Sequence, residues 1–116
     1  TPGPFRIYYY QGRIIGEWKN STGSSRAIFA NHTFTKDQWS HIVFMLHEEK
    51  SSLFVNDSLK ISVAGYDFAL TNTQDTLSIG ASRFPEVGDV NYKYFNGLID
   101  EVLIMKEPIK FYKIKQ

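Results

Sequence analysis

Apolar residues recur in short runs separated by polar or glycine-containing segments, a pattern typical of β-strands joined by turns. The first two runs, Phe5–Tyr10 and Arg13–Trp18, are separated only by Gln11 and Gly12. A two-residue connection that contains glycine suits the positive φ angles of a tight turn, so these runs predict a β-hairpin. A further short strand is predicted over Arg26–Ala30.

The middle of the chain repeats this arrangement. The run Trp39–His47 is apolar at both odd and even positions, which predicts a central strand. Glu48–Ser51 predicts a polar hairpin loop before the strand Ser52–Val55. The pair Asn56-Asp57 then predicts a tight turn, because both residue types tolerate positive φ. In the next run, Leu59–Val63, apolar odd-numbered residues alternate with polar ones, so we expect the odd-numbered side chains to face the core.

The most hydrophobic run, Tyr94–Ile104, carries Asp100 and Glu101 in its middle. Successive side chains of a strand point to opposite faces, so each face would carry one acid among apolar neighbours. This pattern predicts a central strand covered on both faces. Gly97 is expected to let the chain approach closely where that strand begins, and Gly80 is expected to close a short strand.

The whole pattern indicates an all-β protein: an antiparallel two-sheet sandwich or jelly roll. No run of ten residues has helical periodicity, and there is no internal repeat. The length of 116 residues suits a single domain spanning 1–116, of which residues 107–116 form a polar, lysine-containing tail.

Composition narrows the function classes. Apolar residues make up 42% and aromatic residues 16% of the chain, as expected for a folded domain. The net charge of +1 argues against a nucleic-acid partner. No apolar run approaches the roughly 20 residues of a membrane span, so we expect no membrane insertion by this segment. The absence of cysteine excludes disulfides and cysteine-bound zinc.

Four motifs occur in a fixed order along the chain. Together they resemble the laminin-G-like or concanavalin A-like lectin family, including its pentraxin-like members, and they lie within Phe5 to Ile109. The motifs are Trp39-Ser40-His41-Ile42-Val43, Leu53-Phe54-Val55-Asn56-Asp57, Leu77-Ser78-Ile79-Gly80 and Phe95-Asn96-Gly97-Leu98-Ile99-Asp100-Glu101-Val102-Leu103-Ile104.

The resemblance implies a concanavalin A-like jelly roll. The family usually has glycine where this chain has Asp57, and usually carries further strands ahead of Phe5. We therefore expect this chain to be the C-terminal larger part of such a domain, completed by the rest of a parent chain or by a neighbouring chain. From the residues themselves, Trp39 is expected to be a large core side chain. Asp100 is expected to be a buried or half-buried acid that fastens a loop.

No catalytic arrangement is recognisable, so we expect no enzymatic activity. Asp100 and Glu101 are adjacent and would point to opposite faces of a strand, so they could not flank one glycosidic bond. His41 and His47 would lie about 20 Å apart on a strand, too far to share a metal ion. No Ser–His–Asp pattern and no glycine-rich phosphate loop is present.

A ligand site is predicted in the loop that precedes the last motif. Calcium takes oxygen ligands, and sugars combine an aromatic face with polar partners. Asp89 and Asn91 are therefore candidate metal ligands, with calcium as the possible cofactor. The candidate ligand-binding residues are Glu86, Asp89, Asn91, Tyr92 and Tyr94.

Three glycosylation sequons begin at Asn20, Asn31 and Asn56. All three are expected in loops, and they favour an extracellular or cell-surface location. The main hypothesis is a non-catalytic recognition or adhesion module of a larger protein, with a glycan or protein ligand. Two alternatives stay open: a structural domain of a large assembly that uses the sandwich as a packing surface, and an accessory domain of a glycoside hydrolase.

Overall fold

The computed structural model describes residues 5–65, 67, 78–83 and 92–105. Within them the chain forms antiparallel β-sheets and no helix, which confirms the all-β prediction. Two sheets have three strands each, in the orders β1-β2-β3 and β4-β5-β6, and the third pairs β7 with β8. The strands are β1 (Phe5–Tyr10), β2 (Arg13–Lys19), β3 (Ser25–Asn31), β4 (Ile42–His47), β5 (Lys50–Val55), β6 (Ser58–Ala64), β7 (Ala81–Arg83) and β8 (Tyr92–Tyr94).

Three of the hairpins close through two-residue or similarly tight turns with positive φ. Gln11 and Gly12 have φ angles of 51° and 78°, and Asn56 and Asp57 have 51° and 66°. Both predicted turns are confirmed. The turn Glu48-Glu49 has the same signature, with 51° and 59°, although neither residue is glycine or asparagine. Two consecutive residues in this conformation give the turn a twist that matches the flanking strands.

The core lies between the two three-stranded sheets. It consists of inward-facing side chains from β2 and β3 packed against those of β5, and the ring of Phe44 from β4 lies 6.1 Å from that of Trp18. Alternation along each strand explains which side chains are buried, because only every second side chain faces the opposing sheet. The buried apolar residues are Ile14, Trp18, Ile28, Ala30, Leu53 and Val55.

Gly16 marks a close approach of the two sheets. A Cβ atom at this position would lie 2.6 Å from two atoms of the Phe44 ring, inside van der Waals contact. Glycine in β2 therefore gives Phe44 its place beside Trp18. Ile14, Gly16 and Trp18 form the buried face of the strand.

A β-bulge changes the alternation in β6. Leu53 pairs with Ile61, whereas its neighbour Phe54 pairs with Leu59, so Lys60 is the extra residue. Leu59 therefore lies on the opposite face from Ile61, and 56% of its surface is exposed. The prediction that Leu59 faces the core is wrong, because alternation does not reveal an inserted residue.

The loop between β2 and β3 is built around a buried asparagine. Asn20 is 7% exposed. Its Oδ1 accepts hydrogen bonds from Thr22 N at 3.1 Å, from the Thr22 hydroxyl at 2.7 Å and from Ser24 N at 2.9 Å. Next to this loop, Asp67 accepts a hydrogen bond from the Ser21 hydroxyl, and this bond holds the pKa of Asp67 below its ordinary value.

Replacing Asn20 by alanine is expected to destabilise the protein by about 1 kcal/mol, because three donors lose their shared acceptor. The control is Asn20→Asp, which retains a carboxylate oxygen for the same donors and should lose less stability. Urea unfolding followed by tryptophan fluorescence measures both. Equal losses for the two variants would show that the shared acceptor is not the reason for the effect.

The segment after β8 differs from the prediction. Residues 95–105 contain no strand, and Leu98 and Leu103 are 80% and 70% exposed. The expected central strand, covered on both faces, is therefore wrong for these residues. Glu101 has a φ of 53°, which interrupts an extended conformation. A strand also needs a ladder of backbone hydrogen bonds to a neighbour, and none of the described residues forms such a ladder with this segment.

The two glycines that flank predicted strands have different roles. Gly80 has a φ of 83° and precedes β7 instead of closing a strand, since residues 78–80 are not in a strand. Its carbonyl accepts a hydrogen bond from Phe95 N at 2.7 Å. A Cβ at Gly97 would meet the Phe95 ring at 2.9 Å, which is a local side-chain contact and not the approach of a distant backbone.

Candidate functional site

An open cleft of about 460 Å³ lies where β4 begins and β5 ends. Three residues that directly precede β4 form one wall, and the turn after β5 contributes the side chain of Asn56. Two acids from the segment after β8 complete the lining. The lining residues are Trp39, Ser40, His41, Asn56, Asp100 and Glu101.

Two hydrogen bonds fix one wall of the cleft. The backbone N–H of His41 donates to Asn56 Oδ1 at 2.8 Å, and Asn56 N donates to the His41 carbonyl at 2.7 Å. Asn56 can make both contacts because its positive φ, 51°, turns its backbone and side chain toward the same neighbour. Asparagine is thus required here for its amide oxygen as well as for the turn.

A carboxylate lies beside the imidazole behind this wall. Asp57 Oδ1 is buried without a hydrogen-bond partner, and His41 Nδ1 lies 3.4 Å from it. The His41 side chain is about half exposed, at 53%. This pair places the His41 imidazole, which lines the cleft, beside the turn that follows β5.

A serine and a histidine also come together at the edge of the cleft. His32 Nε2 lies 3.2 Å from the Ser40 hydroxyl oxygen. The His32 ring packs edge-on against Phe34, with 4.7 Å between ring centroids, and no described carboxylate orients it. Without an orienting carboxylate among the described residues, the pair lacks the third member of a catalytic triad.

Trp39 lies at the surface, with 63% of its area exposed. The prediction of a core tryptophan is wrong because β4 begins only at Ile42. Residues before the strand do not follow its inward and outward alternation, so the indole lies beside the sheet and not between the sheets. The same position makes Trp39 the largest apolar surface of the cleft.

Asp100 and Glu101 line the same cleft. The prediction that they point to opposite faces is wrong, since it assumed an extended strand and Glu101 has a φ of 53°. Asp100 is exposed, and its Oδ1 accepts a hydrogen bond from the adjacent Glu101 N at 2.8 Å. The expectation of a buried acid that fastens a loop is therefore also wrong, because this bond is local.

The ligand site predicted from sequence falls largely outside the described residues. Glu86, Asp89 and Asn91 lie outside the described residues, so the ligand and calcium assignments to them stay predictions. Tyr92 and Tyr94 belong to β8, and Tyr94 is 76% exposed. Across residues 5–65, 67, 78–83 and 92–105, no three His, Cys, Asp or Glu side chains come together as a metal site.

The residues that line the cleft all lie in motifs or turns that the sequence indicates, but the sequence does not show that they come together in space. The local pattern predicts structural roles for Trp39, Asn56 and Asp100 and does not indicate that they share a cleft. One feature of the sequence could have indicated the cleft. Trp39 lies shortly before the apolar run of β4, and Asn56 directly follows β5, which pairs with β4. Antiparallel pairing brings those two positions to the same edge of a sheet.

This architecture defines a β-sandwich domain with an aromatic and acidic cleft at one edge of a sheet. A family model described as the concanavalin A-like lectin/glucanase superfamily, of the laminin G type, matches residues 2–111. The chain belongs to this family, which confirms the resemblance seen in its four motifs. No curated protein and no solved structure matches the chain. In the described part of the chain, no helix has the length and apolar character needed to cross a membrane.

Proposed function

We propose that this domain is a non-catalytic recognition module that binds a glycan in the cleft beside Trp39. The observation that carries this proposal is the indole, 63% exposed at the surface and surrounded by hydrogen-bonding side chains. An exposed indole offers the C–H faces of a sugar ring a flat apolar surface. Its exposure in water is unfavourable without a ligand, so burial by a sugar is a source of binding free energy.

The polar lining selects the kind of sugar. Asp100 and Glu101 accept hydrogen bonds from sugar hydroxyls, and charged acceptors make stronger hydrogen bonds than neutral ones. The same two negative charges repel carboxylated or sulfated sugars. A neutral oligosaccharide is therefore the ligand class that this cleft favours, and its open shape suits a chain end or an internal unit of a longer glycan.

The arrangement of the two acids supports binding over hydrolysis. A glycosidase needs one carboxylic acid that stays protonated, usually because apolar side chains enclose it. Asp100 and Glu101 are both exposed to water, and neither is enclosed in this way. Incubation with a bound oligosaccharide, followed by assay of new reducing ends, tests this point; a Glu101-dependent release of product would overturn the non-catalytic assignment.

Replacing Trp39 by alanine is expected to weaken glycan binding at least about tenfold, which corresponds to ~1.4 kcal/mol. The loss arises because the sugar no longer covers the indole. A glycan array identifies a neutral ligand, and calorimetry then compares the variant with the unchanged protein. Trp39→Phe should retain part of the affinity, and the melting temperature of both variants should stay close to that of the unchanged protein. Unchanged affinity in Trp39→Ala would exclude this cleft as the site.

Calcium assistance is a separate part of the proposal and concerns Asp89 and Asn91. Calcium bound to the folded state alone would raise the melting temperature. We expect such a rise at millimolar calcium, and we expect Asp89→Asn to reduce it. A melting temperature that does not change with calcium would remove the metal from the proposal and leave the Trp39 cleft unaffected.

A second candidate function, packing within a larger assembly, is favoured by the apolar segment after β8. Six of its side chains are exposed by 45–80%: Leu98, Ile99, Val102, Leu103, Ile104 and Met105. Exposed apolar surface of this extent is typical of sites that another chain or chain segment covers. Light scattering of the purified protein, with and without Leu103→Glu, tests this function; a monomer with no glycan affinity would contradict both candidates.

A further inference from the structure

The three sequons occupy different environments in the folded protein. Asn20 is 7% exposed and holds its loop together through its side-chain oxygen. Asn56 lines the Trp39 cleft and accepts the hydrogen bond of His41 N. Asn31 is exposed at the last position of β3, so the expectation that it lies in a loop is wrong. Among the contacts of the described residues, Asn20 and Asn56 each hold a turn or loop through a side-chain oxygen, and Asn31 does not.

The register of the first sheet shows what surrounds Asn31. Ile28 and Ala30 are buried, so Phe29 and Asn31 point to the outer face of β3. Asn31 pairs directly with Arg13 of β2. Directly paired side chains of antiparallel strands are about 5 Å apart, and residues two apart on a strand are separated by about 6.6 Å. Phe29 and Arg13 are therefore the immediate neighbours of the Asn31 amide.

Phe29 and Arg13 form a surface suited to a sugar. Phe29 is 47% exposed, and the guanidinium carbon of Arg13 lies 4.5 Å from the centroid of its ring. The stack combines apolar ring surface with a planar group that carries several N–H donors. An N-acetylated sugar has the matching features: an apolar ring face, hydroxyl groups and an amide carbonyl.

We propose that Asn31 is an N-glycosylation site and that its first sugar packs on the Phe29–Arg13 stack. The reaction uses a lipid diphosphate-linked oligosaccharide as the donor. Asn31 Nδ2 forms a bond to the anomeric carbon, the bond from that carbon to the diphosphate breaks, and the lipid diphosphate leaves while the amide nitrogen loses a proton. Thr33, which is exposed, supplies the hydroxyl that the sequon requires at the second following position.

The other two sequons fit a glycan less well in the folded state. Asn20 is only 7% exposed, so a sugar attached to its side chain would require that side chain to turn outward and would disrupt the loop. A sugar on Asn56 would enter the cleft that Trp39 and Asp100 line. Folded, secreted protein should therefore be enriched in chains modified at Asn31 and depleted in chains modified at Asn20.

The test is secretion of the chain, with a cleavable signal peptide, from a eukaryotic host. Peptide mass spectrometry locates the glycan on the secreted protein. Enzymatic removal of the glycan converts the modified asparagine to aspartate, so Asn31→Asp is a chemically matched unmodified control. Asn20→Asp and Asn56→Asp remove the other sequons while keeping an oxygen that can accept the existing hydrogen bonds.

We expect a glycan at Asn31 in most secreted molecules and none at Asn20. Enzymatic removal should lower the melting temperature by about 3 °C, to that of Asn31→Asp. In Phe29→Ser, removal of the glycan should no longer change the melting temperature, because the apolar surface is gone. Secreted protein without sugar at Asn31, or a melting temperature that does not respond to removal in the unchanged protein, would overturn the proposal.

Discussion

Replacing Trp18 by alanine is expected to reduce the free energy of unfolding by about 3–5 kcal/mol. Trp18 is 1% exposed and lies between the two sheets, beside the ring of Phe44. Its indole N–H also donates to the Asp67 carbonyl at 3.1 Å, which ties the chain beyond β6 to the first sheet. The substitution therefore leaves a cavity in the core and removes this connection as well.

Urea unfolding followed by circular dichroism measures this loss, since the variant removes a fluorophore. A small domain has a total stability of only about 5–15 kcal/mol, so a large part of the population should unfold under mild denaturing conditions. Trp39→Ala is the matched control. It removes the same side chain from a position that is 63% exposed and should cost less than about 0.5 kcal/mol. Similar losses for the two variants would contradict the placement of the core.

The second large effect is expected from Gly16→Ala, which should destabilise the protein by about 2 kcal/mol. The added methyl group would lie 2.6 Å from the Phe44 ring. The ring is partly buried against the core and lies beside Trp18, so any movement that makes room for the methyl group disturbs these contacts. Alanine is otherwise at least as favourable as glycine within a strand, so a loss at this position reports the steric contact alone.

A double variant separates this contact from other effects. Gly16→Ala combined with Phe44→Leu should be more stable than the sum of the two single losses predicts, since the smaller side chain makes room for the methyl group. A double-mutant cycle with urea unfolding gives the coupling free energy. Strict additivity would show that Gly16 is needed for a reason other than its approach to Phe44.

These two variants also separate the scaffold from the site. Trp18 and Gly16 lie between the sheets, whereas Trp39 and Asp100 lie in the cleft at a sheet edge. Variants of the core should lower stability and, at temperatures where they remain folded, leave glycan affinity unchanged. Variants of the cleft should lower glycan affinity and leave stability unchanged.

The hairpins follow directly from local sequence. Gln11-Gly12 and Asn56-Asp57 adopt the predicted positive φ angles because the conformational preference belongs to those residues themselves. The strands β2 and β3 were likewise predictable within one or two residues, since alternation of apolar and polar side chains is a local property. The four ordered motifs were sufficient to indicate the family.

The candidate site could be predicted from the sequence to a much smaller extent than the hairpins. Trp39 and Trp18 are the same residue type, but Trp39 precedes β4, which begins at Ile42, whereas Trp18 lies on the inward face of β2. An extended apolar run would place the acids at positions 100 and 101 on opposite faces. A single positive φ at Glu101 brings both to one cleft.

The sequence by itself determined the approximate positions of the strands in the two three-stranded sheets, the tight turns and the membership in the concanavalin A-like superfamily. Each depends on the preferences of neighbouring residues or on motifs that can be read in order. The tertiary structure decided which tryptophan is buried, that Leu59 is displaced by a bulge, and that Trp39, Asn56 and Asp100 share a cleft. These outcomes depend on contacts between residues distant in the chain, whose free energies are set by packing and hydrogen bonding and have no signature in local sequence.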